Sequence, residues 1–148
     1  MSIVRLDQYR SDGRLKLSLA GWSLYAALTE MPSGDGLVKI GISTSPLQRL
    51  YSVHCGSPFP VGMAVWAYVG TKSQAMRAEN RLKRRFAERQ TRGEWFTFDF
   101  SSPADKEEFH SACRAAYAKA TGRLLEWRKV SLEQMQIASS LKKDCLRA

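Results

Sequence analysis

Apolar positions along the chain change their period several times, and each change marks an element. Leu15, Leu17 and Leu19 alternate with Lys16 and Ser18, and the run continues through Trp22, Leu24, Tyr25 and Ala27 with a bend at Gly21. A period of two over that length predicts strand. Pro32 to Gly36 is rich in residues that reverse a chain, and Leu37 to Ile42 is a second apolar run broken only by Lys39, so the two runs predict a hairpin. Ser45 followed by Pro46 signals a helix start, with Leu47, Leu50, Tyr51 and His54 at helical spacing until Gly56. Val61 to Val69 then predicts a third strand, and Thr71 or Ser73 caps a second helix running to about Arg89. Gly93 to Phe98 is extended. Ser102-Pro103 opens a third helix that ends at Gly122, and Ser131 with Gln134 resembles a capping box for a fourth. Leu132, Met135, Ile137 and Leu141 form no single stripe, which predicts a loosely docked tail.

This order predicts an α+β fold: a small mixed or antiparallel three-stranded sheet flanked by helices, with further helices at the C-terminus. Residues 1–19 form an N-terminal extension or extra strand, 20–100 the main domain, and 101–148 a helical extension packed on it. The chain has 148 residues, 44% apolar, enough for one core and little more. No apolar run approaches the ~18 residues that cross a bilayer, and the first twenty residues carry charges rather than a leader's apolar stretch. Three cysteines without a C-x-x-C pair argue against a disulfide framework or a structural zinc site and predict a cytoplasmic protein.

Charge changes the picture more. Lys and Arg number 23 against 14 Asp and Glu, a net +9 that favours a polyanionic partner. Eight Lys/Arg and two acids lie between Thr71 and Arg92, so most of the excess sits on the second helix. Its apolar face is Ala75, Ala78, Leu82 and Phe86, and at about 100° per residue Glu79 projects within about 40° of the centre of that face. A carboxylate turned toward a core needs a partner. One reading pairs Glu79 with Arg49 or Lys39 beneath a solvated basic face. The other has Glu79 hold a hard divalent cation beside a phosphate-binding face of Arg77, Arg81, Lys83, Arg84 and Arg85.

The order of short motifs bears on that choice. Ser23-Leu24-Tyr25 is followed by Val38-Lys39-Ile40-Gly41, by Arg49 eight residues after Gly41, by Gly56-Ser57-Pro58-Phe59-Pro60, by the helical Glu79, and by Gly93-Glu94-Trp95-Phe96. Over residues from about 20 to 98 the chain resembles the GIY-YIG nuclease superfamily, in particular its short phage and bacterial branch with V-K-I-G, G-S-P-F-P and G-E-W-F motifs. The resemblance implies a metal-dependent DNA endonuclease. Tyr25 would position or deprotonate the attacking water, Arg49 would neutralise the phosphate, and Glu79 would ligate Mg²⁺ or Mn²⁺. Lys39 stands where many members carry tyrosine, and its ammonium would contact phosphate. The resemblance implies DNA or RNA as partner, DNA before RNA, with no membrane, and a monomer or homodimer. The alternative is a nucleic-acid-binding module of the same fold without chemistry.

Around this set, Tyr51, His54 and Glu94 are candidates for supporting roles, and Glu94 has Lys39, Arg92 or the metal as possible partners. His54 beside Cys55 lacks a third ligand nearby in sequence and does not make a metal site. His110 reads as a surface or packing residue, and Trp95, Phe96 and Phe98 as core.

Overall fold

Alternation of large apolar residues with Ala and Gly turns the first half of the chain into strands. The computed structural model describes residues 21–30, 35–91 and 93–147; the predicted strand start at Leu15 to Leu19 and the 1–19 extension, the first residues of the turn at 31–34, and Arg92 lie outside the described residues. Strand β1 spans Trp22–Glu30 and β2 spans Gly36–Ser43, paired antiparallel from Ser23 opposite Ser43 to Glu30 opposite Gly36. Helix α1, Pro46–Gly56, leads into β3, Val61–Gly70, which pairs antiparallel with the other edge of β1. Helix α2 covers Lys72–Arg85, β4 covers Trp95–Phe98, and α3 covers Pro103–Thr121. A short β5, Arg128–Val130, and helix α4, Leu132–Arg147, complete the described chain.

The fold is α+β, but the sheet has five strands rather than three, in the order β4-β2-β1-β3-β5, and every pairing is antiparallel. The two extra strands are edges. β4 is the Trp95–Phe98 segment, whose extended character is legible but whose pairing is not. β5 is three residues in a charged stretch with no alternation, and it forms because β3 leaves Ala64 to Trp66 unpaired on its outer side. The second helix also stops earlier than its pattern predicts: after Arg85, Phe86 leaves the α-helix and Ala87–Arg89 form a 3₁₀ turn.

Alternation along β1 divides the core. Leu24 and Ala26, with Val38, Ile40, Val65 and Ala67, face α2 and α3, where they meet Ala75, Leu82, Phe86, Phe109 and Cys113. Tyr25 and Ala27, with Ala64 and Trp66, face α1 and α4. Burial pushes the Cys113 thiol up to about 12, as expected of an inert core cysteine. Helix α4 docks through Met135 and Ala138, 2% and 6% exposed, while Leu132 and Ile137 stay outside, which is why no clean stripe is visible. Its capping box is complete: the Ser131 N–H donates to Gln134 Oε1 at 2.9 Å and the Gln134 N–H to Ser131 Oγ at 3.1 Å.

Phe86, Phe98 and Phe109 pack mutually at centroid distances of 4.8 to 6.1 Å, and Arg89 closes the group by lying 4.3 Å above the Phe98 ring. Its guanidinium donates to both oxygens of Asp105 at 3.1 Å, to Glu108 Oε2 at 2.6 Å and to the Thr97 carbonyl at 3.2 Å. Arg89 thereby ties β4 to the start of α3. The Arg89 bond, and then the Asp99 N–H, hold the Asp105 carboxyl below its ordinary value of 3.8, so this contribution is full above pH 3.8 and is lost as the pH falls through the lower folded value. Arg89→Ala should cost roughly 1–3 kcal/mol at pH 7 in urea unfolding, and the difference from the parent should shrink below the ordinary aspartate value.

Candidate active site

Tyr25 lies opposite Gly41 in the β1–β2 ladder, on the face covered by α1. A Cβ at Gly41 would collide with the Tyr25 ring and hydroxyl, so only glycine lets the phenol lie against the β2 backbone. Helix α1 begins at Pro46 after Ser45, whose N–H donates to Ser43 Oγ at 2.9 Å, so the end of β2 fixes where the first helical turn starts. That turn delivers Arg49. Its Nε–H donates to the Tyr25 hydroxyl at 3.2 Å. Tyr25 is only 2% exposed whereas Arg49 is exposed, so a ligand meets the guanidinium before the phenol.

A second group assembles where β4 runs out. β4 pairs with only Gly36 to Lys39 of β2, and because Trp95 stands opposite Lys39, Glu94 lies just beyond that corner. Lys39 Nζ donates to Glu94 Oε2 at 2.8 Å and sits 5.8 Å from the Trp95 ring centroid. The other oxygen of Glu94 accepts from Lys83 Nζ at 3.2 Å, and Lys83 Nζ lies 3.6 Å from Glu79 Oε2. Glu79, Lys83, Glu94 and Lys39 therefore alternate in sign along one chain of contacts. The partner of Glu79 is Lys83, one helical turn on, rather than Arg49 or Lys39.

Electrostatics separate the two carboxylates. Hydrogen bonding from Lys39 holds Glu94 below the ordinary carboxylate range. Burial pushes Glu79 the other way, with Lys83 opposing and the nearby Glu94 reinforcing the rise. Its side chain is 16% exposed, and its ammonium partner stands beyond good hydrogen-bond range. An under-compensated carboxylate of this kind suits a hard cation, and Glu94 offers a second oxygen donor at the same lysine. Among the described residues no group of three or more His, Cys, Asp or Glu could hold a metal ion. Glu79, with Glu94 across Lys83, is the pair of carboxylates that could hold such an ion here.

Tyr25 with Arg49, and Glu79 with Lys83, Glu94 and Lys39, are two groups without a hydrogen bond or ion pair between them among the described residues. Strand β2 joins them: Lys39 and Gly41 are on the same face, about 7 Å apart by strand geometry. Tyr51 and His54 lie elsewhere on α1. Tyr51 stacks on His54 with centroids 6.5 Å apart, and Cys55 raises its phenol pKa. His54 Nδ1 accepts from the Val61 N–H at 3.2 Å and so anchors the loop between α1 and β3. Val53 is core, 7% exposed. His110 packs edge-on against Phe109.

The sequence profile described as the T5orf172 domain matches residues 23–118. The chain belongs to the T5orf172 domain family. That family is phage-associated and lies in the GIY-YIG and homing-endonuclease-like group, which fits a nuclease-like or nucleic-acid-binding role. No curated protein and no solved structure matches the chain. The match takes in all the elements that carry the two groups, and most of α3.

On this T5orf172 domain the cations of α2 divide by direction. Arg77, Arg81, Arg84 and Arg85 are exposed, and the first three fall within about 60° of one another, on the side of the helix away from Glu79. Lys83 is different: it is 30% exposed and engaged with both carboxylates. Arg77, Asn80, Arg81, Lys83 and Arg84 share one open stretch of the surface of α2. No described helix is long and apolar enough to cross a membrane. Sequence reasoning missed Lys83 as the partner of Glu79 although an i,i+4 Glu-Lys pair is a recognised signal; in a run of five cations it reads as one more surface charge.

Because the folded environment raises Glu79, the ionised carboxylate costs stability at neutral pH, a cost that vanishes as the pH falls below the ordinary value of 4.5. Glu79→Gln should therefore stabilise the fold at pH 7, by roughly 0.5 kcal/mol or more in urea melts, with the gain disappearing at pH 4.

Proposed function

We propose that this protein is a metal-dependent DNA endonuclease of GIY-YIG type, in which Arg49, Tyr25, Lys39 and Glu79 act on one phosphodiester. The reading is supported by the Arg49-Tyr25 hydrogen bond, by Lys39 on the same face of β2 as the Gly41 that backs Tyr25, and by the chain of contacts from Lys39 through Glu94 and Lys83 to the half-buried Glu79. Arg49 meets the scissile phosphate, because its exposed guanidinium presents a planar fork of donors suited to phosphate oxygens. Its Nε bond to the phenol orients Tyr25, whose hydroxyl would position the attacking water. Lys39 adds positive charge near the non-bridging oxygens. Glu79 would hold Mg²⁺ or Mn²⁺, with Glu94 beside it; when bound, the ion offsets charge on the leaving oxygen. The arginine stripe on α2 would hold flanking backbone.

A second reading, a nucleic-acid-binding module without hydrolysis, draws support from Lys83, which already occupies the place beside Glu79, and from the burial of Tyr25. One assay separates the two. Supercoiled and linear DNA are incubated with Mg²⁺, Mn²⁺ or EDTA, beside gel shifts at two salt concentrations. The nuclease reading expects metal-dependent cutting, reduced at least ~100-fold in Glu79→Ala with binding retained. Glu79→Ala cutting as well as the parent under Mg²⁺ contradicts it. Binding without cutting at any metal concentration selects the second reading.

Under either reading Arg81→Ala/Arg84→Ala should weaken DNA binding for all sequences alike. Its log-affinity against log-salt slope should fall by about 1.8 if both contact phosphate. An unchanged slope, read by fluorescence anisotropy, removes the stripe from the interface.

A further inference from the structure

We infer that Lys83 is a tethered cation seated in a two-carboxylate site formed by Glu79 and Glu94, and that a divalent ion enters this site only by displacing it. The inference rests on the metal-dependent reading of Glu79 and adds Glu94 as a second carboxylate ligand with Lys83 as the built-in competitor.

Lys83 Nζ lies 3.6 Å from Glu79 Oε2 and 3.2 Å from Glu94 Oε1, so one ammonium stands between oxygens of two carboxylates from different segments, as a shared ion would. Lys39 holds the far oxygen of Glu94 at 2.8 Å. The two carboxylates and two ammonium groups balance to zero. Adding a doubly charged ion with both lysines in place would leave the cluster strongly positive in a partly desolvated corner, which Coulomb repulsion at these distances disfavours. One ammonium must leave. Lys83 has the longer contacts and is 30% exposed against 13% for Lys39, so Lys83 is the one that swings out, toward Asn80 and Arg84 on the open surface of α2. In that position its charge joins the exposed cations of α2. DNA and metal would therefore bind cooperatively, because a phosphate near those cations gives the displaced ammonium a partner.

The test is Mn²⁺ binding to the full chain without DNA, read by loss of the free-ion EPR signal at pH 7.5 and low salt. Lys83→Gln should bind Mn²⁺ at least about tenfold more tightly than the parent. Lys83→Arg, which keeps the charge, should stay within about threefold of it. The gain should vanish in Lys83→Gln/Glu79→Gln and shrink in Lys83→Gln/Glu94→Gln. Equal affinities of parent and Lys83→Gln at a Glu79-dependent site overturn the tethered-cation inference and leave the metal reading standing. Absence of Glu79-dependent binding in both proteins overturns the inference and the metal reading together.

Discussion

Helix α2 cannot turn Glu79 away from the protein. Ala75, Ala78 and Leu82 are 0 to 1% exposed, and Phe86 just beyond the helix is fully buried, so any rotation that freed the carboxylate would drag these residues into water. The cost of keeping a charge at that depth is met only in part by Lys83. Everything proposed for this site depends on that enforced position: a carboxylate with incomplete compensation, at the corner where a short edge strand stops. An ordinary surface glutamate would rotate into solvent and lose both its perturbed acidity and its claim on a cation.

Strand register supplies the rest. Pairing of β1 with β2 sets Tyr25 over Gly41 and leaves Lys39 on the same face, and the limited length of β4 leaves Glu94 beside that lysine rather than in the sheet. Helix α1 is seated by the end of β2, so Arg49 reaches the phenol from its first turn. Segments distant in sequence thus bring one guanidinium, one phenol, two ammonium groups and two carboxylates to adjoining places. The arginine stripe faces elsewhere, so in the proposed function the charge that would attract a polyanion and the charge that would act on it are carried by different sides of one helix.

Much of this is legible in the residues. Period changes locate four helices and the strands from Trp22 to Val69, because Pro46, Gly56, Gly70 and Gly122 punctuate them, Thr71 caps α2 and Ser102 caps α3. Placing Glu79 on the inner side of its helix needs only 100° per residue. The hidden features are those set by tertiary contact. The pairing of β4 with β2 is not legible, and β5 is too short to show a period and exists only because β3 offers it a partner. The early end of α2 comes from Phe86 sinking among Phe96, Phe98 and Phe109, a choice no local propensity records. The Lys83 pair is written in the i,i+4 spacing but concealed by its cationic neighbours, and His54 and Tyr51 belong to a loop anchor and a helix surface.

In the proposed mechanism Glu79 and the Arg49-Tyr25 pair serve a single site. Paramagnetic relaxation by Mn²⁺ in NMR spectra of the labelled protein tests it most directly. A shared site predicts that the ion broadens resonances of Glu79, Glu94, Gly41 and the Arg49 Nε–H before any others, and that Glu79→Gln abolishes the effect. Broadening centred on other surface carboxylates, such as Glu107 or Glu133, with Arg49 untouched would contradict it.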